Sequence, residues 1–420
     1  EIRNREGTLL PGETAGARAK ADEIRHRFEQ WLWEDPHRTT RLVNYYNEHI
    51  NNLRQYVPDG THLTLAGISP KWAAQMRPLQ KDGIWRTIQQ RTVGIFHEVG
   101  FGKTAVMVVA GMELRRMGFA RGVMHVVPKQ TYVGYVAAFQ DMYPHAKVLY
   151  PDDQAFTRAN RAEMMNRIAT GDWDAVVITD SQMKRLPLSA EAQMMFLRQE
   201  VEHFREAHIA LIEAGADRRS QKQVENLVER LQKQLGDLAA RLAAKQDEGL
   251  TFESLGIDQL FVDEAHVVKN LRFSTSMSGV KGLGSAANGK GSDIAWDMFQ
   301  KVRYLQQNGK GIVFATGTPI TNTIAELWTM MRYLQPRYLE EHGWQNFDAW
   351  ARTFGATETD IEQTAHGSFK PVERFVRFDN LAELNRGWQE TADIRVGTET
   401  PEMAELTPML IELDGAGNRT

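Results

Sequence analysis

The sequence contains no cysteine at all. This absence excludes disulfides, zinc–thiolate centres and thiol nucleophiles, and it is compatible with the reducing cytoplasm that we expect as the location. Long apolar runs are missing too, since none approaches the length of a membrane span. The amino terminus lacks the charged-then-apolar pattern of a secretion signal. We therefore expect no membrane association.

An excess of charge of one sign is also lacking, because 50 Lys and Arg face 54 Asp and Glu and give a formal net charge of −4. A protein that binds DNA mainly through bulk charge is usually basic, so any nucleic-acid site must be a local patch. With 420 residues the chain is too long for one compact core, and we expect two or three structural units. The first residue is Glu1 and not Met, which suggests a piece of a larger protein.

From residue 67 onward, short β-branched runs alternate with helical stretches. The runs are Val93–Phe96, Val123–Val127, Lys147–Tyr150, Ala175–Thr179, Gln259–Val262 and Ile312–Ala315. Nearly continuous apolar runs separated by helices are typical of a parallel sheet that is covered on both faces. The sequence therefore predicts an α/β domain.

Residues 1–66 are predicted to form a helical leader, closed by the turn signal Pro58-Asp59-Gly60. Its aromatic residues are Phe28, Trp31, Trp33, Tyr45 and Tyr46. We favour a role for these residues in packing the leader onto the main domain, with base stacking as the alternative.

Residues 189–248 interrupt the α/β rhythm. One helical seam contains Met194, Leu197, Val201, Phe204 and Leu211, with His208 as its polar member, and a second contains Val224, Val228, Leu231, Leu235, Leu238 and Leu242. This heptad spacing in two short adjacent helices predicts an inserted antiparallel hairpin. It either packs only on itself or grips DNA or a partner.

Residues 274–293 are rich in Gly, Ser and Lys and are predicted to form a mobile loop. The partial dinucleotide fingerprint around Gly282 and Gly284 is rejected, because no strand leads into it. We favour a linker over a phosphate-contacting role for Lys281 and Lys290.

The segment HEVGFGKT, residues 97–104, follows an apolar run and opens a helical stretch. Successive backbone N–H groups at a helix N-terminus form a phosphate cradle. Lys103 supplies a charge for the outer phosphates, and Thr104 a hydroxyl for Mg²⁺. The usual pattern has Gly where His97 stands, so the match fails at its first position. The expected nucleotide-binding residues of this loop are Gly100, Gly102, Lys103 and Thr104.

Two further strand ends carry polar groups. Asp263 and Glu264 follow an apolar strand, where α/β sheets bind ligands; Asp263 can hold Mg²⁺ and Glu264 can deprotonate the attacking water. A helix N-cap is the alternative reading of this acid pair. The stretch Ala315–Pro319 ends another strand, and its hydroxyls could sense the γ-phosphate.

Together these segments resemble helicase superfamily 2, and the details resemble its Swi/Snf-type ATPases. Those details are Met76-Arg77-Pro78-Leu79-Gln80, Lys269-Asn270 after the acid pair, and TGTPITNTIAELW from Thr316 to Trp328. The leader end DGTHLTLAGISPKW and HEVG look more particularly like large bacterial or phage- and plasmid-borne proteins that join such a helicase to an adenine-DNA methylase. No Asn-Pro-Pro-aromatic methylase motif occurs in the chain.

The resemblance implies a RecA-like lobe that binds ATP and Mg²⁺ and acts on double-stranded DNA. It implies that Gln80 reads the adenine edge and that Arg77 supports that pocket. It also implies catalytic roles for Lys103, Asp263 and Glu264. Residues implied to couple hydrolysis to movement are His266, Thr316 and Thr318. Residues implied to lie near nucleic acid are Pro128, Lys129, Thr179, Lys269 and Asn270.

The expected organisation follows from these positions. The first lobe takes residues 67–188 and 249–336, and residues 337–420 form a bridge toward a second lobe that begins near Met409–Leu413. That lobe would supply arginines to the transition state, so the chain alone should hydrolyse ATP only weakly. A restriction, antirestriction or defence-related parent protein is expected. The alternatives are a nucleotide-gated binding scaffold and an RNA helicase lobe.

Overall fold

The structure is a computed structural model. It describes residues 11–49, 57–213, 218–243, 249–275, 277, 283, 291–320, 324–363 and 369–396. Most of the predicted loop, with Lys281 and Lys290, and the segment Met409–Leu413 lie outside these residues. The chain divides into two compact units, Glu1–Val57 and Pro58–Thr420.

The first unit contains two helices, α1 (Pro11–Glu34) and α2 (Pro36–His49). Asp35 separates them and accepts a hydrogen bond from the His37 N–H at 2.9 Å, while Pro36 begins α2. The Arg38 guanidinium lies 3.8 Å from the centroid of the Trp31 ring. The five aromatic side chains noted in this segment are between 41% and 66% exposed.

The second unit is built on a seven-stranded sheet in which all the neighbouring pairs are parallel. Its strands are β1 (Thr92–His97), β2 (Val123–Val127), β3 (Val148–Leu149), β4 (Ala175–Thr179), β5 (Gln259–Asp263), β6 (Gly311–Ala315) and β9 (Ala392–Arg395). Their order across the sheet is β3-β4-β2-β5-β6-β1-β9. The six predicted apolar runs are therefore six of these strands, and the predicted α/β fold is confirmed.

Helices cover both faces of the sheet. They are α3 (Pro70–Gln75), α4 (Pro78–Gln90), α5 (Lys103–Arg116), α6 (Tyr132–Met142), α7 (Arg161–Thr170), α8 (Asp180–Met183), α11 (Asp293–Gln307), α12 (Ile324–Leu334), α13 (Pro336–Glu341), α14 (Phe347–Phe354) and α15 (Leu381–Gln389). Along β5, Phe261 packs in the core beneath α4, α5 and α6, while Leu260 and Val262 pack in the core beneath α7, α11 and α12. This alternation explains why the three central residues of the strand are all apolar.

The predicted hairpin consists of α9 (Ala190–Glu213) and α10 (Arg218–Ala243), whose seams form a core of their own. The Leu211 side chain lies outside the described residues. At its base, the Glu253 carboxylate accepts hydrogen bonds from the Ser189 N–H (2.9 Å) and hydroxyl (2.8 Å). Among the described residues, no helix is both long and apolar enough to cross a bilayer.

The sheet continues past residue 336, where the sequence placed the end of the lobe. An antiparallel pair, β7 (Gly355–Gln363) and β8 (Phe369–Phe378), follows α14. The chain then returns through α15, and β9 pairs in parallel with β1 from Gly94 to His97. Residues 337–396 thus include an edge strand of the main sheet as well as connecting segments.

Candidate functional site: a nucleotide cavity at the carboxyl ends of the strands

The strand register assembles the site. Ile95 of β1 and Asp263 of β5 both lie opposite Ala315 of β6. The residues that follow these three strands therefore emerge side by side, at the edge where α/β sheets bind ligands. The three segments that were predicted separately from the sequence meet there because their strands are neighbours.

The loop between β1 and α5, residues 98–102, is called the phosphate loop below. Its backbone conformation depends on two glycines. Gly100 has φ +92° and Gly102 has φ +78°, a region that side chains with a Cβ rarely adopt. A Cβ on Gly102 would also lie 2.2 Å from the Gln80 Nε2 atom. Gly102 is the N-cap of α5, so the amino terminus of that helix opens onto the loop.

Gln80 is buried and connects α4 to this loop. Its Oε1 accepts a hydrogen bond from the Arg77 N–H at 2.9 Å, and its Nε2 donates to the Phe101 carbonyl at 3.2 Å. One amide hydrogen and one lone pair are left over, because a primary amide carries two donors and two acceptor sites. Gln80 therefore positions the loop, a role that the sequence did not suggest.

Lys103 is oriented toward the loop's own backbone. Its Nζ donates to the His97 carbonyl at 2.9 Å and lies 3.5 Å from the Glu98 carbonyl. Burial lowers the pKa of Lys103, whereas the charges of Glu264 and Asp263 act to raise it. The ammonium group thus contacts backbone carbonyls and interacts with the charges of two carboxylates.

Asp263 and Glu264 form the acid pair beyond β5. Burial, followed by the charge of Glu264, raises the pKa of Asp263 to about 6. The Glu264 N–H donates to Asp263 Oδ1 at 3.0 Å. Glu264 itself has φ +49°, a conformation that costs a non-glycine residue about 1 kcal/mol or more and that often marks functional sites.

His266 links the acid pair to the end of β6. Its Nδ1 lies 3.0 Å from Glu264 Oε2 and 3.2 Å from Thr316 Oγ1. The buried Thr316 hydroxyl also accepts a hydrogen bond from the Thr318 N–H at 3.1 Å. The three residues predicted to couple hydrolysis to movement therefore form one hydrogen-bonded chain that starts at Glu264.

A single cavity of about 890 Å³ collects most of the predicted binding residues. Its lining includes Arg77, Gln80, Gly100, Gly102, Lys103, Thr104, Asp263 and Glu264. Trp72, Gln130, Thr131 and Tyr135 line it as well and were not anticipated. Trp72 could have been suspected, because it is an aromatic residue shortly before Arg77; Gln130 and Thr131 follow a segment that we assigned to nucleic acid.

None of the residues predicted to lie near nucleic acid lines this cavity. Lys129 is exposed and pairs with Asp153 at 2.6 Å, whereas the Lys269 Nζ lies 3.0 Å from Glu326 Oε1 with both side chains largely buried. The Thr179 hydroxyl is buried and accepts the Gln182 N–H at 3.2 Å as the cap of α8. Pro128 is half-buried and Asn270 is exposed. In this conformation Lys129 and Asn270 are the accessible members of the set.

The donors present suit Mg²⁺ held together with a nucleotide. Among the described residues there is no cluster of three His, Asp or Glu side chains that could hold a metal unaided. Mg²⁺ usually takes only one or two protein carboxylates and completes its shell with phosphates and water. Asp263 and the Thr104 hydroxyl line the same cavity and match this requirement.

A parallel sheet, a glycine-containing loop at its carboxyl edge and an acid pair on a neighbouring strand are features typical of a nucleotide-binding α/β domain. Residues 85–396 match the model of a family described as "Probable helicase domain", and the chain belongs to this family. The helicase part of the predicted resemblance is thereby confirmed. Residues 3–52 match a second model, described as a domain of unknown function.

Among curated proteins, the chain is 24% identical over 440 residues to "Defense against restriction protein B" of Escherichia phage P1. The match covers 93% of the chain but only 19% of that relative's length. Two solved structures of a Sulfolobus solfataricus SWI2/SNF2 ATPase core are 14% identical to it. The match to the one in complex with double-stranded DNA covers 82% of this chain and 47% of that structure's chain, with a TM-score of 0.38. The match to the other covers 84% of this chain and 50% of that structure's chain, with a TM-score of 0.41.

Proposed function

We propose that this chain contains the ATP-binding first motor lobe of a DNA-dependent ATPase, a double-stranded-DNA translocase of superfamily 2. The observation that carries the proposal is the cavity in which Lys103, Gln80 and the acid pair meet. Membership of a helicase-domain family supports nucleotide hydrolysis as its chemistry.

The side chains have distinct roles in this proposal. Lys103 exchanges its contact with the His97 carbonyl for the outer phosphates, and Gln80 keeps the loop in place while its remaining donor and acceptor face the adenine edge. Asp263 and Thr104 would hold Mg²⁺, which supplies positive charge at the phosphates when bound. Glu264 accepts the proton of the attacking water.

Support for duplex DNA as the track comes from the sequence. Lys269-Asn270 and the stretch TNTIAELW resemble the Swi/Snf-type branch more than the RNA helicases. The name of the phage relative supports a place in a restriction, antirestriction or defence-related protein. A methylase domain or subunit in the same longer protein, and a cytoplasmic location, are part of the proposal.

We further propose that this chain hydrolyses ATP slowly by itself. Among the described residues, Arg77 is the only arginine that lines the cavity, and it lies on the α4 side of the site. An arginine that reaches the transition state is worth about 10³–10⁵ in rate. A second lobe in the longer protein would supply such an arginine.

The test is ATP hydrolysis by this chain and by a longer protein that contains it, each with and without duplex DNA. Duplex DNA should stimulate the longer protein by about 10³-fold or more. In that protein Glu264→Gln should lower the rate by about 10²–10⁴-fold while ATP binding persists. Glu163→Gln, at an exposed position on α7, is the control and should hydrolyse ATP normally.

Other outcomes would favour the two alternatives. A longer protein that binds ATP but never hydrolyses it, with or without DNA, would favour a nucleotide-gated scaffold. Stimulation by duplex RNA in preference to duplex DNA would favour an RNA helicase. The intact set of Lys103, Asp263 and Glu264 in one cavity favours an active enzyme over the scaffold.

A further inference from the structure

His97 stands where the usual phosphate-loop pattern has glycine, and its side chain has a specific partner. The imidazole is 1% exposed, and its Nε2 lies 2.7 Å from the Oδ2 of Asp393, which is 2% exposed. A carboxylate only accepts hydrogen bonds, so the imidazole Nε2 carries the donated hydrogen. The contact joins the end of β1 to β9, across 296 residues of sequence.

Asp393 also gathers groups from other elements. Its Oδ1 lies 3.7 Å from an Arg86 nitrogen on α4 and 3.1 Å from the Arg395 Nε on β9. Arg86 donates in addition to the Gln389 carbonyl. A Cβ on Gly83 of α4 would approach both Asp393 Oδ2 and His97 Cε1 to 3.4 Å, so the group packs directly against that helix. One buried carboxylate thus connects α4, β1 and β9.

The backbone around His97 contacts the nucleotide site at the same time. The His97 carbonyl accepts the Lys103 Nζ at 2.9 Å, and the N–H of Glu98, the next residue, donates to the Arg395 carbonyl at 2.9 Å. The peptide that begins the phosphate loop is therefore held by Lys103 on one side and by β9 on the other. A displacement of this peptide would move both the lysine and the loop.

We propose that Asp393 is a positioning residue for the phosphate loop. Through His97 it fixes the first peptide of the loop, and through the same contact it links occupation of the nucleotide site to the stability of β9. This inference rests on the proposed function only for the identity of the nucleotide. The replacement of the usual glycine by His97 is then the feature that makes the link.

The test combines hydrogen exchange with titration of ADP–Mg²⁺ on this chain. Asp393→Asn and His97→Ala should speed exchange by about tenfold or more in residues 97–102 and 392–396 together, because a buried contact shared by both is lost. The dissociation constant for ADP should rise by about tenfold. His97→Gln keeps a hydrogen-bond donor in a similar place, so it should show nearly the slow exchange and the ADP affinity of the wild type. Wild-type β9 should exchange more slowly with ADP, and Asp393→Asn should lose this response.

Asp258→Asn is the matched control, since Asp258 accepts the Arg121 N–H (2.9 Å) at the opposite end of the strands. It should leave exchange in the phosphate loop unchanged. Faster exchange in β9 alone, with a normal loop, would overturn the proposal and leave Asp393 as a support for an edge strand. If the wild-type chain binds no ADP, the proposed function fails, while exchange in the free variants still decides whether Asp393 positions the loop. If Asp393→Asn does not fold, the comparison of His97→Ala with His97→Gln makes the same decision.

Discussion

Gly102 shows how a single residue sets the geometry of the phosphate loop. Its positive φ turns the chain into α5, and its missing side chain leaves room for the Gln80 amide. Gln80 in turn donates to the Phe101 carbonyl, so this contact joins the loop to α4. Any side chain at position 102 would disturb both.

We predict that Gly102→Ala weakens nucleotide binding and lowers the free energy of unfolding by about 1–3 kcal/mol, because strain and a clash act together. Gly118→Ala is a matched control: Gly118 has φ +77° just beyond the other end of α5, but a Cβ there meets nothing within 4 Å. It should cost about 1 kcal/mol and leave ADP affinity unchanged. Calorimetric titration and urea unfolding measure the two effects, and equal ADP affinity in both variants would contradict the prediction.

Among single residues, the sequence identified those that lie in a recognisable local sequence pattern. Lys103 begins α5 after the loop that follows β1, the acid pair lies at the end of β5, and the structure places them in one cavity. Asp393 could not be found in this way, because its significance lies in a contact with His97 that no local pattern encodes. Lys269 was assigned to nucleic acid from its position after the acid pair, whereas Glu326 holds it in a largely buried ion pair.

Strands made almost entirely of apolar residues were the elements that the sequence predicted best. In β2, β4 and β6 every residue is buried, so composition alone identifies them. β9 is only four residues long and contains Asp393 and Arg395, so it lacks this signal. Its place beside β1 is set by tertiary contacts, which is why the sheet extends beyond the boundary drawn at residue 336.

Buried charge fixes the hairpin of α9 and α10 to the lobe, whereas its apolar seam joins the two helices to each other. Glu200 of α9 lies 3.5 Å from the Arg272 Nε and 3.6 Å from an Arg332 nitrogen. Burial lowers the pKa of both arginines, and the charge of Glu200 opposes this shift. Arg272 lies shortly after the acid pair in the chain, and Arg332 lies on α12, the helix that follows β6. The base of the hairpin therefore contacts segments that follow the strands of the candidate site.

We predict that Glu200→Gln lowers the free energy of unfolding by about 3 kcal/mol, because it leaves two buried arginines without their carboxylate. Glu202→Gln, two residues along the same helix, removes an exposed carboxylate whose partner is Arg205 at 3.3 Å. That control should unfold almost as the wild type does. Urea denaturation of the three proteins measures the difference. Similar stabilities for the two variants would show that the buried cluster contributes little.

For the whole molecule, the family and the fold agree on a helicase-type domain, and the chain spans about a fifth of the phage relative's length (19%). The leader and the α/β unit are separate compact units. The proposed motor function requires that the cavity holds a nucleotide. That requirement can be tested before any question about DNA.

The most direct test is calorimetric titration of the chain with a non-hydrolysable ATP analogue and Mg²⁺. Lys103→Ala removes the charge that we propose contacts the phosphates, and Lys147→Ala, at an exposed position just before β3, removes an equal charge elsewhere. Our prediction is saturable binding by the wild type and by Lys147→Ala, and affinity at least about a hundredfold weaker for Lys103→Ala. Equal affinity of Lys103→Ala and the wild type would contradict it.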